Sequence, residues 1–212
     1  MASVAIVIDY QNLHMTGHEV FMPSQAKEHS LISPWRFGHQ LIAAKNASPP
    51  PGLAEKFELK FVDVFRGLPD VEDPHRSYKR NLAQKSQWEK EGHGRVRVTY
   101  RPLKYRYDYE NRTNDWSIPP QEKGVDVQCA LALCKHARSG LYDVVILASR
   151  DTDLAPAVDE AATYRQSRIE LVKWFSPNVR HTRGNLRTQT RVWTTSLDEA
   201  SFRASLDPTV YH

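Results

Sequence analysis

Two five-residue apolar runs, Val4–Ile8 (VAIVI) and Val144–Ala148 (VVILA), each lead into a carboxylate, Asp9 directly and Asp151 a few residues on. Runs of this length with no polar alternation read as strands buried on both faces, which is the condition of a parallel sheet lying between helix layers. Asp9 and Asp151 then emerge at strand C-termini, the edge on which open α/β sheets bind their ligands.

The rest of the chain keeps the same alternation. Strand-like runs recur at Glu58–Phe65, Arg95–Arg101, Ile169–Trp174 and Val192–Thr195. Helical patterns fill most of the intervals, at Pro34–Ala47, Asp73–Glu91, Gly124–Ser139, Asp153–Gln166 and a shorter Asp198–Ala204. The pattern predicts an α/β fold, a three-layer α/β/α sandwich around a mostly parallel, Rossmann-like central sheet. Two long stretches, Met15–Ser33 and Leu103–Gln121, break it and are expected to be irregular; such loops often carry function. With 212 residues, 40% of them hydrophobic, the chain suits one domain whose core needs neither disulfides nor structural metal. That core is expected over about residues 3–175, with 176–212 as a C-terminal extension. Cys129 and Cys134 fall inside an apolar helical pattern and read as buried thiols. No stretch reaches the roughly 20 apolar residues of a membrane helix, so a soluble, cytoplasmic protein with no membrane partner is expected. A net charge of +4 and a pI near 9.0 permit nucleic-acid binding without demanding it.

Asp126, in the first turn of an apolar helix, and Asp153, two residues after Asp151, complete a candidate acidic site. Asp9, Asp126, Asp151 and Asp153 are its candidate catalytic and metal-ligating residues. Carboxylates sharing a pocket repel one another unless a cation neutralises them. Mg²⁺ or Mn²⁺, as one or two ions, suits such hard oxygen ligands. Plainer roles stand beside this one: Asp9 as N-cap of a helix starting near Gln11, Asp126 against a helix dipole, and Asp153 as N-cap ahead of Pro156. Asn12 could hold a water, a phosphate oxygen or the Asp9 carboxylate, or close a local turn, and Ser149 could bind a water or phosphate at the same rim or make a simple hydroxyl-to-backbone bond.

A candidate nucleic-acid surface lies at Thr99–Arg112 (TYRPLKYRYDYENR), where aromatics interleave with cations. Arg101, Lys104, Tyr105, Arg106 and Tyr107 are its candidate substrate-binding residues, since single strands need stacking faces beside phosphate-binding charge. An ordinary edge strand explains the same alternation. Arg180, His181, Arg183, Arg187 and Arg191 form a second basic region, readable as a backbone contact or as solvated charge. His14 and His18 have the spacing of a helical metal pair, but Gly17 and polar neighbours favour a loop. No Ser/His/Asp or Cys/His signature and no Gly-rich phosphate loop is visible.

Taken together, VIDYQN, KGVDVQCALAL and YDVVILASRDTDLAPAV resemble, in order and context, the NYN branch of the PIN-like nucleases, a group related in fold to flap endonucleases. The resemblance runs from Ser3 to about Trp174. It implies a metal-dependent endoribonuclease that hydrolyses RNA phosphodiester bonds, with Asp9, Asn12, Asp126, Asp151 and Asp153 at its Mg²⁺ or Mn²⁺ site and products carrying 5′-phosphate and 3′-hydroxyl ends. RNA, either single-stranded or structured with single-stranded regions, is the expected partner, and homodimerisation is left open. Family members usually carry Gly where this chain has Arg150. A side chain there could narrow the pocket or reach a phosphate, and at φ > 0 it would be strained. The rival reading keeps the fold and pocket without turnover, as an RNA-binding or regulatory module. A phosphatase or a DNA-directed flap nuclease would share the acidic pocket.

Overall fold

Strand β1 (Ala2–Asp9) is buried from Val4 to Asp9 and lies inside the sheet, as its unbroken apolar run requires. The computed structural model describes residues 1–49 and 55–211. After β1 come helices α1 (Tyr10–Phe21) and α2 (Pro34–Ala47), strand β2 (Phe57–Leu68), helix α3 (Tyr78–Glu91) and strand β3 (Val96–Pro102). A two-residue-per-strand hairpin follows, β4 (Tyr107–Asp108) with β5 (Thr113–Asn114), and then α4 (Val125–Ser139) and β6 (Val144–Ala148). The chain ends with α5 (Ala155–Thr163), β7 (Arg168–Trp174), β8 (Trp193–Leu197) and α6 (Glu199–Ala204).

The main sheet has six strands in the order β3-β2-β1-β6-β7-β8, and every pairing in it is parallel. Alternate residues of the strands face opposite layers. Val4, Ile6, Ile8, Val144, Ile146 and Trp174 join one core with Tyr10, Leu13, Phe37, Leu41, Trp88 and Phe202 from α1, α2, α3 and α6. Val7, Val145, Leu147, Ile169 and Leu171 face the other, with Cys129, Leu133, Val158 and Ala161 from α4 and α5. The expected three-layer α/β/α sandwich is therefore present. The strand order reverses between β1 and β6, so the crevice at their C-termini is the topological switch point, where folds of this kind bind ligands.

Two helices differ from expectation at their ends. Residues 15–21 are helical, not irregular, because α1 continues past Met15 to Phe21. Gly17 and the two histidines hide this helix in the sequence, and both features are packing. A Cβ at Gly17 would sit 2.7 Å from the Phe202 ring, and His14 and His18 are buried, bonded to Ser30 Oγ at 2.9 and 3.0 Å. They are core groups that fix the turn Lys27–Ser30, not ligands. The segment 103–121 is irregular as expected apart from the hairpin and a bridge between Lys104 and Gln121. Helix α3 starts at Tyr78, capped by Ser77, five residues later than Asp73, whose carboxylate instead holds the preceding turn.

The segment after residue 175 is more than an extension. Strand β8 pairs with β7 over Glu170–Trp174, Phe202 is fully buried, and Asp207 accepts a bond from Trp88 Nε1 at 2.6 Å. Cys129 is buried as expected, whereas Cys134 is only half-buried. No helix among the described residues is long and apolar enough to cross a membrane.

Candidate functional site

Five carboxylates, those of Asp9, Glu122, Asp126, Asp151 and Asp153, line one open recess of about 360 Å³ together with Lys123, Gly124 and Val125. Asp9 ends β1, Asp126 lies in the first turn of α4, and Asp151 and Asp153 follow β6, so the switch point brings all the predicted acids to one place.

Asp9 has the plainer of its two expected roles, the N-cap of α1, and also lines the recess. Its Oδ1 accepts the Asn12 N–H at 3.2 Å and caps α1, while its Oδ2 accepts the Ser149 hydroxyl at 3.0 Å. It is only 6% exposed, and burial raises its carboxyl above the usual range. The two hydrogen bonds oppose that shift, and the charges of Asp151 and Asp126 add to it. Asp151 caps the turn Thr152–Leu154 by accepting the Asp153 N–H at 3.0 Å. Asp153 is therefore not the cap expected ahead of Pro156; it is exposed at the rim of the recess.

Three residues expected near the substrate bond within the frame of the site. Asn12 Oδ1 accepts the Arg150 N–H at 2.8 Å, tying α1 to the loop after β6, and Ser149 Oγ accepts the Asp151 N–H at 3.1 Å. The Arg150 guanidinium donates to the His181 carbonyl at 2.6 Å, which ties it to the segment Arg180–Thr182. Arg150 is not among the residues with positive φ, so its backbone carries none of the strain that a replaced glycine would imply.

Glu122 escaped the sequence reading because no apolar run precedes it; only its position four residues before Asp126 hinted at it. Its carboxylate accepts the Gly67 N–H from the end of β2. Burial pushes this carboxyl up to about 7, reinforced by the charges of Asp9 and Asp126 and opposed by Gly67 and Arg66.

The recess offers oxygen donors only. Among the described residues no three His, Cys, Asp or Glu side chains stand close enough together to form a ready-made metal cage. A hard cation that keeps several waters and takes one or two carboxylates directly fits such a set, whereas a closed protein cage does not. Two carboxyls, Asp9 and Glu122, held above their usual ranges by burial and by neighbouring carboxylates are what a neutralising cation would relieve.

The aromatic surface is smaller than expected. The Tyr105 hydroxyl donates to Asp73 at 2.7 Å and accepts the Asp70 N–H at 3.0 Å, and its ring meets Trp116 edge-on, so it braces a loop rather than offering a free face. Tyr107 is exposed on the hairpin and packs edge-on against Tyr109. Lys104 pairs through its backbone with Gln121 and leaves its side chain exposed, as does Arg106, whose carbonyl accepts the Asp115 N–H. Arg101 lies beside the recess: a Cβ at Gly124, which has φ of 74°, would sit 2.8 Å from Arg101 Nε. Of the second basic region, the Arg183 and Gly184 carbonyls accept Lys173 Nζ, each at 3.0 Å, so part of it is folded against β7.

No protein-family model matches the chain, and no curated protein matches it. A solved structure similar to it is that of a protein of unknown function from Vibrio parahaemolyticus, with 18% sequence identity and a TM-score of 0.45 over 81% of this chain and 80% of that one.

Proposed function

We propose that this chain is a metal-dependent endoribonuclease of the NYN type, hydrolysing phosphodiester bonds of RNA at the acidic recess. The observation that carries the reading is the convergence of Asp9, Glu122, Asp126, Asp151 and Asp153 on one recess at the switch point. Five carboxylates around one recess, with Asp9 buried, repel one another, and chemistry that needs a cation beside a phosphate gives that arrangement a purpose.

In this reading Asp9 and Asp151 hold Mg²⁺ or Mn²⁺, with Asp126 and Asp153 reaching it directly or through water. When bound, such a cation offsets charge on the phosphate and makes a water molecule acidic enough to supply the attacking hydroxide. Ser149 and the Asn12 N–H fix the Asp9 carboxylate from two sides, leaving it little freedom to turn from the site. Asn12 and Arg150 hold the loop that carries Asp151, so the acids of β1 and β6 keep their spacing. Glu122, whose carboxyl burial holds above its usual range, stands at the edge of the recess as a group able to exchange a proton. Arg101 and Lys123 supply positive charge at the same rim for the strand's phosphates.

The test is cleavage of labelled single-stranded RNA by wild type and Asp151→Asn with Mn²⁺, Mg²⁺ or EDTA. Cleavage by wild type with metal alone, leaving 5′-phosphate and 3′-hydroxyl ends, supports the reading. Cleavage in EDTA with 2′,3′-cyclic phosphate products refutes it, and RNA binding without turnover transfers the site to a binding module.

A further inference from the structure

A second concavity, about 390 Å³, adjoins the acidic recess and shares Glu122 with it. Its walls are α1, which presents Tyr10, His14 and Met15, and α3, which presents Arg80 and Gln84; the end of β2, Arg66–Gly67, lies between them. The division between the two sites is a single step of chain, since Asp9 lines the recess while Tyr10 and Gln11 line the groove.

The groove is cationic where the recess is anionic. Lys27, Arg66, Arg76 and Arg80 line it against two acids, Glu28 and Glu122. Among the described residues Lys27, Arg66 and Arg80 enter no salt bridge, and Arg76 pairs with Asp73 at 3.5 Å. Arg66 is half-buried and held in place: its guanidinium carbon lies 4.8 Å from the Tyr10 ring centroid, and Nη1 donates to Gln84 Oε1 at 2.6 Å. Ordinary surface arginines are mobile and solvated, whereas this one is preorganised, partly dehydrated and without a carboxylate partner. A planar guanidinium in that state is suited to a phosphate.

We propose that this groove is a phosphate-binding subsite, in which Arg66 and Arg80 hold a phosphoryl group of the nucleic-acid strand whose neighbouring bond lies in the acidic recess. The proposal rests on the nuclease reading for its strand and on the groove itself for its chemistry. The phosphoryl group is either the strand's 5′-terminal monoester or an internal diester, and the two behave differently in one experiment.

Binding of a 3′-labelled single-stranded RNA, made with a 5′-phosphate or a 5′-hydroxyl, is followed by fluorescence anisotropy in EDTA over a range of salt. The proteins are wild type, Arg66→Gln, Arg80→Gln and Arg203→Gln, the last removing an equal charge from the far helix α6. The groove variants are expected to bind about tenfold more weakly and to flatten the salt dependence by about one ion, while Arg203→Gln does neither. Loss confined to the 5′-phosphorylated strand identifies a terminal monoester, and equal loss on both strands an internal diester. Arg80→Gln binding with the affinity and salt slope of Arg203→Gln overturns the proposal, and this variant decides alone if Arg66→Gln fails to fold. Groove-dependent binding by a wild-type protein that never cleaves removes the nuclease reading and keeps the groove; cleavage that depends on Asp151 with binding indifferent to Arg80 does the reverse.

Discussion

Asp9 carries two jobs on one carboxylate, and substitutions separate them. Asn is itself a favoured N-cap, so Asp9→Asn should keep α1 and the fold while lowering cleavage by about 10²-fold or more; a steady-state assay beside a thermal melt checks both. Asp9→Ala loses the cap as well and should cost a further 1 kcal/mol or so of stability. Glu122 makes a prediction in pH. Burial pushes its folded carboxyl up to about 7 from an ordinary 4.5, so between those values the folded state holds a proton that the unfolded state has released. Stability without metal should therefore fall as pH rises from 4.5 toward 7, and Glu122→Gln should remove that part of the decline. Melts across this range in EDTA, then with Mn²⁺ added, measure it; a Glu122→Gln curve parallel to wild type would refute the assignment. Arg150 reads differently in structure than in sequence. With ordinary φ and a bond to the His181 carbonyl, Arg150→Gly should lose about 0.5–1 kcal/mol of stability and gain no activity.

At the level of elements, legibility followed burial. β1 and β6 were plain because strands covered on both faces admit only apolar residues, and their terminal acids then had nothing to pack against. α1 was hidden because its inward face is paved with His14, Gly17 and His18, whose reasons for being there are Ser30, Trp174 and Phe202, all distant in sequence. Glu122 and Arg66 were illegible for the same cause: each matters through what the fold sets beside it, Gly67 in one case and Tyr10 with Gln84 in the other. The junction ahead of α4 shows such a dependence at one residue. Gly124 is left-handed and its missing Cβ is the space that the Arg101 side chain occupies, so Gly124→Ala should cost about 1–2 kcal/mol and displace Arg101. Weaker RNA binding together with a lower melting temperature would show both effects.

Across the whole molecule, the sheet ties the end of the chain to its middle. Phe202 packs against Trp174 and Phe21, so Phe202→Ala should cost about 3–5 kcal/mol, and ending the chain at residue 175 should leave protein that aggregates in place of a monodisperse fold. Size-exclusion chromatography and circular dichroism of both variants measure this. The parallel order also governs when the acidic site comes into being. Asp9 is made first, but its partners Asp126, Asp151 and Asp153 lie beyond the middle of the chain, and the strand that brings Asp151 alongside it pairs directly with β1. A ribosome that has delivered the chain from β1 through β3 has made one acid of the site and no recess. A site divided in this way does not exist until the loop after β6 follows β1 into the sheet, so the acid made earliest waits longest for its partners.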